Sequence, residues 1–324
     1  MDFLLALPVR LLIGLLQLLP LPLVARVGRV GGLLFYWGDA RHRKMARKNL
    51  ARCFPEKSTA EVHALARENF LRIGETFASA IKTAAMSAEQ IARVLEVTGV
   101  EKVFPEPEKK LRNHIFVIGH FGNFELNAHC GTYAPGYRFA TTYRGVRQPW
   151  LNKILQDLRS KSGCLFFERR SEAGALKAAL NQGGLLLGLL ADQHAGNKGL
   201  RLPFFGQDCS TSAAAAIFAL RYDCTLHTAI CYRTAPGRWR IEVGDAIATH
   251  ENGQARSPAA IMLEVNRAFE TAVRRDPANW FWVHRRWKPA KARAGRTPRP
   301  GAAHGPSDLP ADSAAAPGPG RTPP

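Results

Sequence analysis

The stretch Ile115-Phe116-Val117-Ile118-Gly119, followed at once by His120-Phe121-Gly122-Asn123-Phe124-Glu125, decides how this chain is read. A short apolar run with β-branched residues, closed by Gly, predicts a buried strand. The residues after it predict a turn into a helix, with Gly122 supplying the tight backbone and Asn123 the N-cap. In open α/β sheets, ligands bind outside the carboxyl ends of the strands. His120 and Glu125 therefore stand where chemistry is expected. On an ideal helix, residues five apart lie about 140° apart around the axis. The two side chains can meet only if His120 sits in the turn and Glu125 in the first helical turn. Paired this way, the carboxylate fixes the imidazole tautomer, and the free nitrogen can take a proton from a hydroxyl. The plainer alternative is a surface His and a helix-dipole Glu that never touch.

Working outward, strand and helix signals alternate. Arg138 to Tyr143, Cys164 to Phe167, Leu185 to Leu190, Thr225 to Tyr232 and Trp239 to Val243 predict strands. Helices are expected around Leu151–Leu158, around Leu176–Leu180 before Gly183-Gly184, over Thr211–Tyr222, and after Ser257-Pro258. Upstream, Ser58 with Glu61 and Ser87 with Gln90 are capping-box patterns, the second opening a helix expected to stop near Thr98-Gly99. The alternation predicts an α/β fold: a mixed, mostly parallel sheet sandwiched by helices.

The chain has 324 residues, 46% of them hydrophobic, enough for a large core. Its net charge of +19 points to a polyanionic partner: nucleic acid, an anionic membrane face or an acidic carrier protein. The basic residues show neither zinc-finger spacing nor a recognition helix, which argues against nucleic acid. Six scattered cysteines without a C-x-x-C pair read as reduced thiols rather than a disulfide or zinc framework.

Residues 1–36 predict a retained hydrophobic anchor helix. Leu11 to Ala25 is almost continuously apolar, but shorter than the roughly 20 residues that a spanning helix needs. Adding Phe3 to Val9 supplies the length, with Arg10 as a defect, so the anchor is expected to lie in the interface or to span shallowly. The basic cluster Arg41-His42-Arg43-Lys44, with Arg47, Lys48 and Arg52, favours anionic headgroups on the cytoplasmic side of a membrane. A catalytic domain is expected over 37–289. The Pro-, Ala- and Gly-rich tail over 290–324 is expected to be disordered.

The His-x4-Glu pattern of His120 and Glu125 resembles the signature of the glycerolipid and lysophospholipid acyltransferase superfamily. More narrowly, the chain resembles the bacterial lipid A biosynthesis acyltransferases of the lauroyl and myristoyl type. The resemblance runs from about Arg41 to Lys288. It includes Arg47-Lys48-Asn49-Leu50 with Cys53-Phe54-Pro55-Glu56, then Tyr143-Arg144. It continues through Ala191-Asp192-Gln193 and Pro203-Phe204-Phe205-Gly206 to Trp280-Phe281-Trp282-Val283-His284-Arg285-Arg286-Trp287.

The resemblance implies transfer of a fatty acyl group from an acyl carrier protein, or alternatively coenzyme A, to a hydroxyl of a lipid A precursor. A lysophospholipid or another glycolipid is the alternative acceptor. No cofactor is implied. His120 is the expected general base and Glu125 its orienter. The Phe121 and Gly122 amides are a candidate oxyanion site beside Asn123. No Ser or Cys nucleophile is required, so direct attack without a covalent acyl-enzyme is expected. By the resemblance Arg144 would lie near His120, and an Arg there can clamp phosphate or developing charge. Arg169 occupies a similar place after its strand. Asp192, with Gln193 beside it, would hold an arginine or bind acceptor hydroxyls. Arg285 and Arg286 read equally as headgroup contacts or as a solvated basic face. Two other classes stand as rivals: an idle lipid-binding protein, and a metal-dependent hydrolase using Asp192 and His194, whose i, i+2 spacing makes a poor metal site.

Overall fold

The computed structural model describes residues 2–104 and 111–289; the expected tail over 290–324 lies outside the described residues. Four helices come first: α1 (Asp2–Leu18), α2 (Leu21–Gly38), α3 (Ala40–Cys53) and α4 (Thr59–Thr83). After α5 (Ala88–Ala92) and β1 (Leu95–Thr98) comes β2 (His114–Ile118), then a 3-10 segment over Phe124–Tyr133 and β3 (Arg138–Tyr143). The chain goes on through α6 (Pro149–Arg159), β4 (Leu165–Glu168), α7 (Ala173–Gln182) and β5 (Leu185–Leu190). A hairpin of β6 (Leu200–Phe204) and β7 (Gln207–Thr211) precedes α8 (Ala214–Arg221), β8 (Thr225–Ala235), β9 (Arg238–Val243) and α9 (Pro258–Arg275).

Seven strands form one sheet in the order β1-β9-β8-β2-β5-β3-β4. Every neighbouring pair is parallel except β8 and β9, the hairpin turning at Pro236-Gly237. Parallel sheets are covered on both faces, so their inner strands are largely apolar and buried. β2 shows this directly: all five residues are buried. Ile115 and Val117 pack with Leu176, Ala215 and Phe269 on one face, while Phe116 and Ile118 pack with Leu126 and Trp239 on the other. The mixed, helix-flanked sheet agrees with the expectation.

Both capping boxes form, at Ser58 and at Ser87. The helix begun at Ser87 stops at Ala92, however, and Leu95–Thr98 becomes the edge strand beside β9. A four-residue strand set by pairing with a partner 144 residues away carries little local signal. The β6–β7 hairpin was also unforeseen. Its two-residue turn places Phe205 at φ 53° and Gly206 at φ 68°, as tight hairpin turns demand. Burial of the Phe205 ring against Phe54, at 5.7 Å between centroids, and an amide hydrogen bond to Glu270 hold a bulky residue there.

The amino-terminal segment corrects the expectation of a helix that could span. Two helices meet at Leu19-Pro20, and among the described residues no helix is long and apolar enough to cross a membrane. Pro20 lacks the N–H that would carry α1 onward. α2 packs along α4 through glycines: a Cβ on Gly28 would lie 2.6 Å from the Gly74 carbonyl, and one on Gly32 would strike the Phe70 carbonyl. The buried Glu75 of α4 accepts from Arg233 at 2.8 Å and from the Gly237 amide at 3.0 Å, joining α4 to the β8–β9 hairpin.

Candidate active site

β2 delivers His120 to the carboxyl edge of the sheet. Its neighbour β5 pairs Leu190 with Ile118, and the Ala191 amide donates to the Ile118 carbonyl at 3.1 Å. The two chains therefore leave the sheet side by side, which sets Asp192 against His120. Gly119 has no room for a side chain, since a Cβ there would meet the Phe121 ring at 2.6 Å. Gly122 takes φ 48°, and a Cβ there would lie 2.7 Å from the Cys231 carbonyl. Only glycine turns the chain this sharply against another backbone.

The carboxylate on the imidazole is Asp192. His120 Nδ1–H donates to Asp192 Oδ1 at 2.8 Å, and the His120 backbone N–H donates to Oδ2 at 2.9 Å. Trp280 Nε1–H donates to the same Oδ2 at 2.9 Å. Asp192 is 2% exposed. Burial alone would push its carboxyl up, but the charge and hydrogen bonds of His120, with the Trp280 donor, hold it down at about 2. Burial likewise opposes charge on His120; the Asp192 carboxylate outweighs it, with help from Glu125, and raises the imidazole above its ordinary value. With Nδ1 committed to a carboxylate, Nε2 is the nitrogen left to exchange a proton. The ring is fixed by Phe124, edge-on at 4.6 Å, and by Phe281 at 5.8 Å. It lines a narrow cleft of about 20 Å³ with Thr76, Phe77 and Gly122. The Gln193 side-chain amide lies 3.4 Å from both ring nitrogens.

Glu125 reaches a different partner. It stands in the first turn of the 3-10 segment, and its Oε1 accepts from Arg159 Nη2 at 2.8 Å. Its influence on His120 is through-space charge rather than a hydrogen bond. Asn123 does not cap: its backbone (φ −84°, ψ 74°) is not extended, and its fully buried amide makes no hydrogen bond to the helix end. The Phe121 amide donates to the Gly119 carbonyl at 2.8 Å and that of Gly122 to the Asn279 carbonyl at 3.0 Å. Both amides expected to form an oxyanion site thus have protein acceptors, because the turn is closed by its own backbone and by the carboxyl-terminal segment. Phe121 is fully buried against Phe269.

Arg144 is exposed, as is Arg169, whose Nε donates to Thr142 Oγ1 at 3.2 Å. Arg286 is buried, which excludes both readings considered for it. Its guanidinium donates to the carbonyls of Gln193 and Ser210, each at 2.8 Å, and to Thr211 Oγ1 at 3.0 Å, pinning the loop that carries Asp192 and Gln193. Asp192 and His194 do not share a partner; His194 Nδ1 accepts from the Gly196 amide.

Trp280 and Arg159 escaped the sequence reading as site residues. The aromatic run Trp280-Phe281-Trp282 was a signal for the first, and no local signal marks the second. The distant blocks converge for a physical reason. Asn49, from α3, donates to the carbonyls of Trp282 and His284, while Asn69, from α4, donates to those of Ala278 and Trp280. Phe204 of the hairpin packs 5.5 Å from Trp280. These contacts place the indole on Asp192.

A larger cavity of about 430 Å³ opens where β3, β4 and β5 end, with Ala191, the residue before Asp192, in its wall. Burial pushes the thiols of Cys130 and Cys164 up to about 12 and that of Cys231 higher still, so none of them is a ready nucleophile.

A family model described as bacterial lipid A biosynthesis acyltransferase matches residues 5–289. The chain is 26% identical over 282 residues to the lipid A biosynthesis lauroyltransferase of Escherichia coli (strain K12), spanning 85% of this chain and 90% of that protein. It is 24% identical over 279 residues to the lipid A biosynthesis palmitoleoyltransferase of the same strain, spanning 83% and 86%. The lipid A biosynthesis acyltransferase of Haemophilus influenzae is 23% identical over 278 residues, with coverage of 83% and 86%. With the family model matching nearly the whole described chain around the His120–Asp192 pair, the chain belongs to the bacterial lipid A biosynthesis acyltransferase family.

Proposed function

We propose that this protein moves a fatty acyl group from an acyl carrier protein thioester to a hydroxyl of a lipid A precursor, with His120 as general base. The observation that carries the reading is the His120–Asp192 pair, whose Nδ1 is occupied and whose Nε2 is left for proton exchange. The acceptor oxygen attacks the thioester carbonyl, its proton passes to Nε2, and the carbon–sulfur bond breaks. The imidazolium, stabilised by Asp192, returns that proton to the departing thiolate. Glu125, held by Arg159, adds negative charge that favours the imidazolium. The Gln193 amide is the nearby donor suited to the carbonyl oxygen as it gains charge. The buried, high-pKa cysteines support direct transfer without a covalent acyl-enzyme. Arg144 and Arg169, both exposed, are suited to phosphates of the acceptor or carrier.

Membrane association at the cytoplasmic face of the inner membrane is part of the same reading. α1 and α2 expose Leu11, Leu15, Leu18, Val30, Leu34 and Trp37, with the basic α3 next in the chain. An apolar face flanked by Lys and Arg suits the interface of an anionic bilayer.

The test offers purified protein an acyl carrier protein thioester with a lipid A precursor and, side by side, a lysophospholipid, using His120→Ala as control. Transfer to the precursor that vanishes in the variant is the expected result. Transfer to the lysophospholipid alone moves the protein to phospholipid acylation, and His120-independent transfer overturns the mechanism.

A further inference from the structure

The 430 Å³ cavity at the ends of β3, β4 and β5 has the size of a ligand site. Its walls are mostly apolar: Leu176, Leu189 and Ala215 are buried, and Phe167 and Phe218 line it beside Thr142 and Ser212. Its rim is charged. Arg169, Lys177 and Arg221 stand there, all exposed, from three different elements: the loop after β4, α7 and α8. Two carboxylates share the rim, and both are turned onto backbone. Glu168 accepts from the Arg170 and Ser171 amides at 2.6 and 2.9 Å, and Glu172 accepts from the Glu168 amide. None of the three cations makes an ion pair among the described residues. Among the described residues, the Arg169 side chain donates to Thr142 Oγ1 and the Arg221 guanidinium lies over the Tyr222 ring.

An apolar hollow whose lip carries three cations against two backbone-bound carboxylates selects a molecule that is greasy at one end and anionic at the other. We propose that this cavity binds an anionic amphiphile, a single acyl or alkyl chain lying on the Phe167–Phe218 wall, with its phosphate-bearing end among Arg169, Lys177 and Arg221. Two natural sources share that chemistry: the acylated phosphopantetheine arm of a carrier, and the phosphate-bearing acyl glycolipid acceptor. Naming them rests on the acyl-transfer reading; the binding itself does not.

Calorimetry on the full chain, with dodecyl phosphate below its micelle concentration and neutral dodecyl glucoside as control, tests the site. The phosphate is expected to bind at least about tenfold more tightly than the glucoside, and more weakly as salt rises. The double variant Lys177→Glu/Arg221→Glu, at two exposed positions, is expected to lose about tenfold in affinity with an unchanged melting temperature. Equal binding of the two amphiphiles, or binding indifferent to the double variant as adsorption on α1 and α2 would be, overturns the proposal. Displacement of dodecyl phosphate by acyl-phosphopantetheine assigns the cavity to the donor, and displacement by a lipid A precursor assigns it to the acceptor. Displacement by neither overturns the naming of these two sources. Acyl transfer without dodecyl phosphate binding sinks the cavity alone, whereas binding without His120-dependent transfer sinks the transfer chemistry alone.

Discussion

Asp192 holds His120 at two points, the ring Nδ1 at 2.8 Å and the backbone N–H at 2.9 Å, although 72 residues separate them. The double grip fixes both the imidazole's tautomer and its position. It also couples their charges, raising the imidazole's proton affinity while holding the carboxyl ionised.

The pair sets the expected pH dependence. A general base works only when neutral, so turnover should rise with pH and level off above the raised imidazole pKa, beyond the ordinary value of 6.5. Asp192→Asn removes the charge that raises it. The acidic limb should then move to lower pH, while the plateau falls by about 10²–10⁴-fold, the usual worth of a positioned base. A pH–rate profile of both proteins checks this; a fall with no shift of the limb contradicts the assignment.

Glu125 is expected to act as charge in partnership with Arg159. The pair is partly exposed, with 29% and 26% of the side chains accessible. Breaking it should cost stability by no more than about 1 kcal/mol. Glu125→Gln should nonetheless lower turnover sharply, whereas Arg159→Ala, which leaves the Glu125 charge in place, should lower it less. Kinetics alongside denaturant melts separate the two effects; unchanged kinetics in Glu125→Gln remove it from the machinery.

The glycine contact between α2 and α4 predicts a stability defect. Gly32→Val places side-chain atoms where the Phe70 backbone already lies. Overpacking of this kind costs about 1–3 kcal/mol or more. Urea unfolding of Gly32→Val against Gly31→Ala is the comparison, because nothing lies within 4 Å of a Cβ at Gly31. Equal midpoints would show that α2 can separate from α4 without cost.

The exposed face of α1 and α2 predicts lipid binding. Leu15→Glu combined with Val30→Glu should release the protein from vesicles containing anionic phospholipid, leaving its melting temperature unaltered, since both side chains are more than half exposed. Co-sedimentation with anionic and neutral vesicles reads the effect, and retained binding would exclude this face.

Much of the fold was legible because its signals are local. The apolar run at β2, the capping boxes at Ser58 and Ser87, and the Pro236-Gly237 turn each lie within a few residues. β1 and the β6–β7 hairpin were missed because pairing and burial of Phe205, rather than local pattern, define them. The site divides the same way. Position at the end of β2 marked His120, but nearness in sequence pointed to Glu125 as its partner.

The sequence by itself determined that His120 follows a buried strand, that a glycine turn exposes it there, and that blocks of one acyltransferase type recur along the chain. The tertiary structure alone decided which carboxylate meets the imidazole. β2 and β5 are neighbours in the sheet, so the residues after them emerge together, whereas Glu125 is carried away along its helix toward Arg159. Likewise only packing buries Arg286 beneath the Asp192 loop and brings Asn49 and Asn69 onto the segment of Trp280. Contacts between residues tens to hundreds of positions apart depend on which elements adjoin, and no local spacing encodes that.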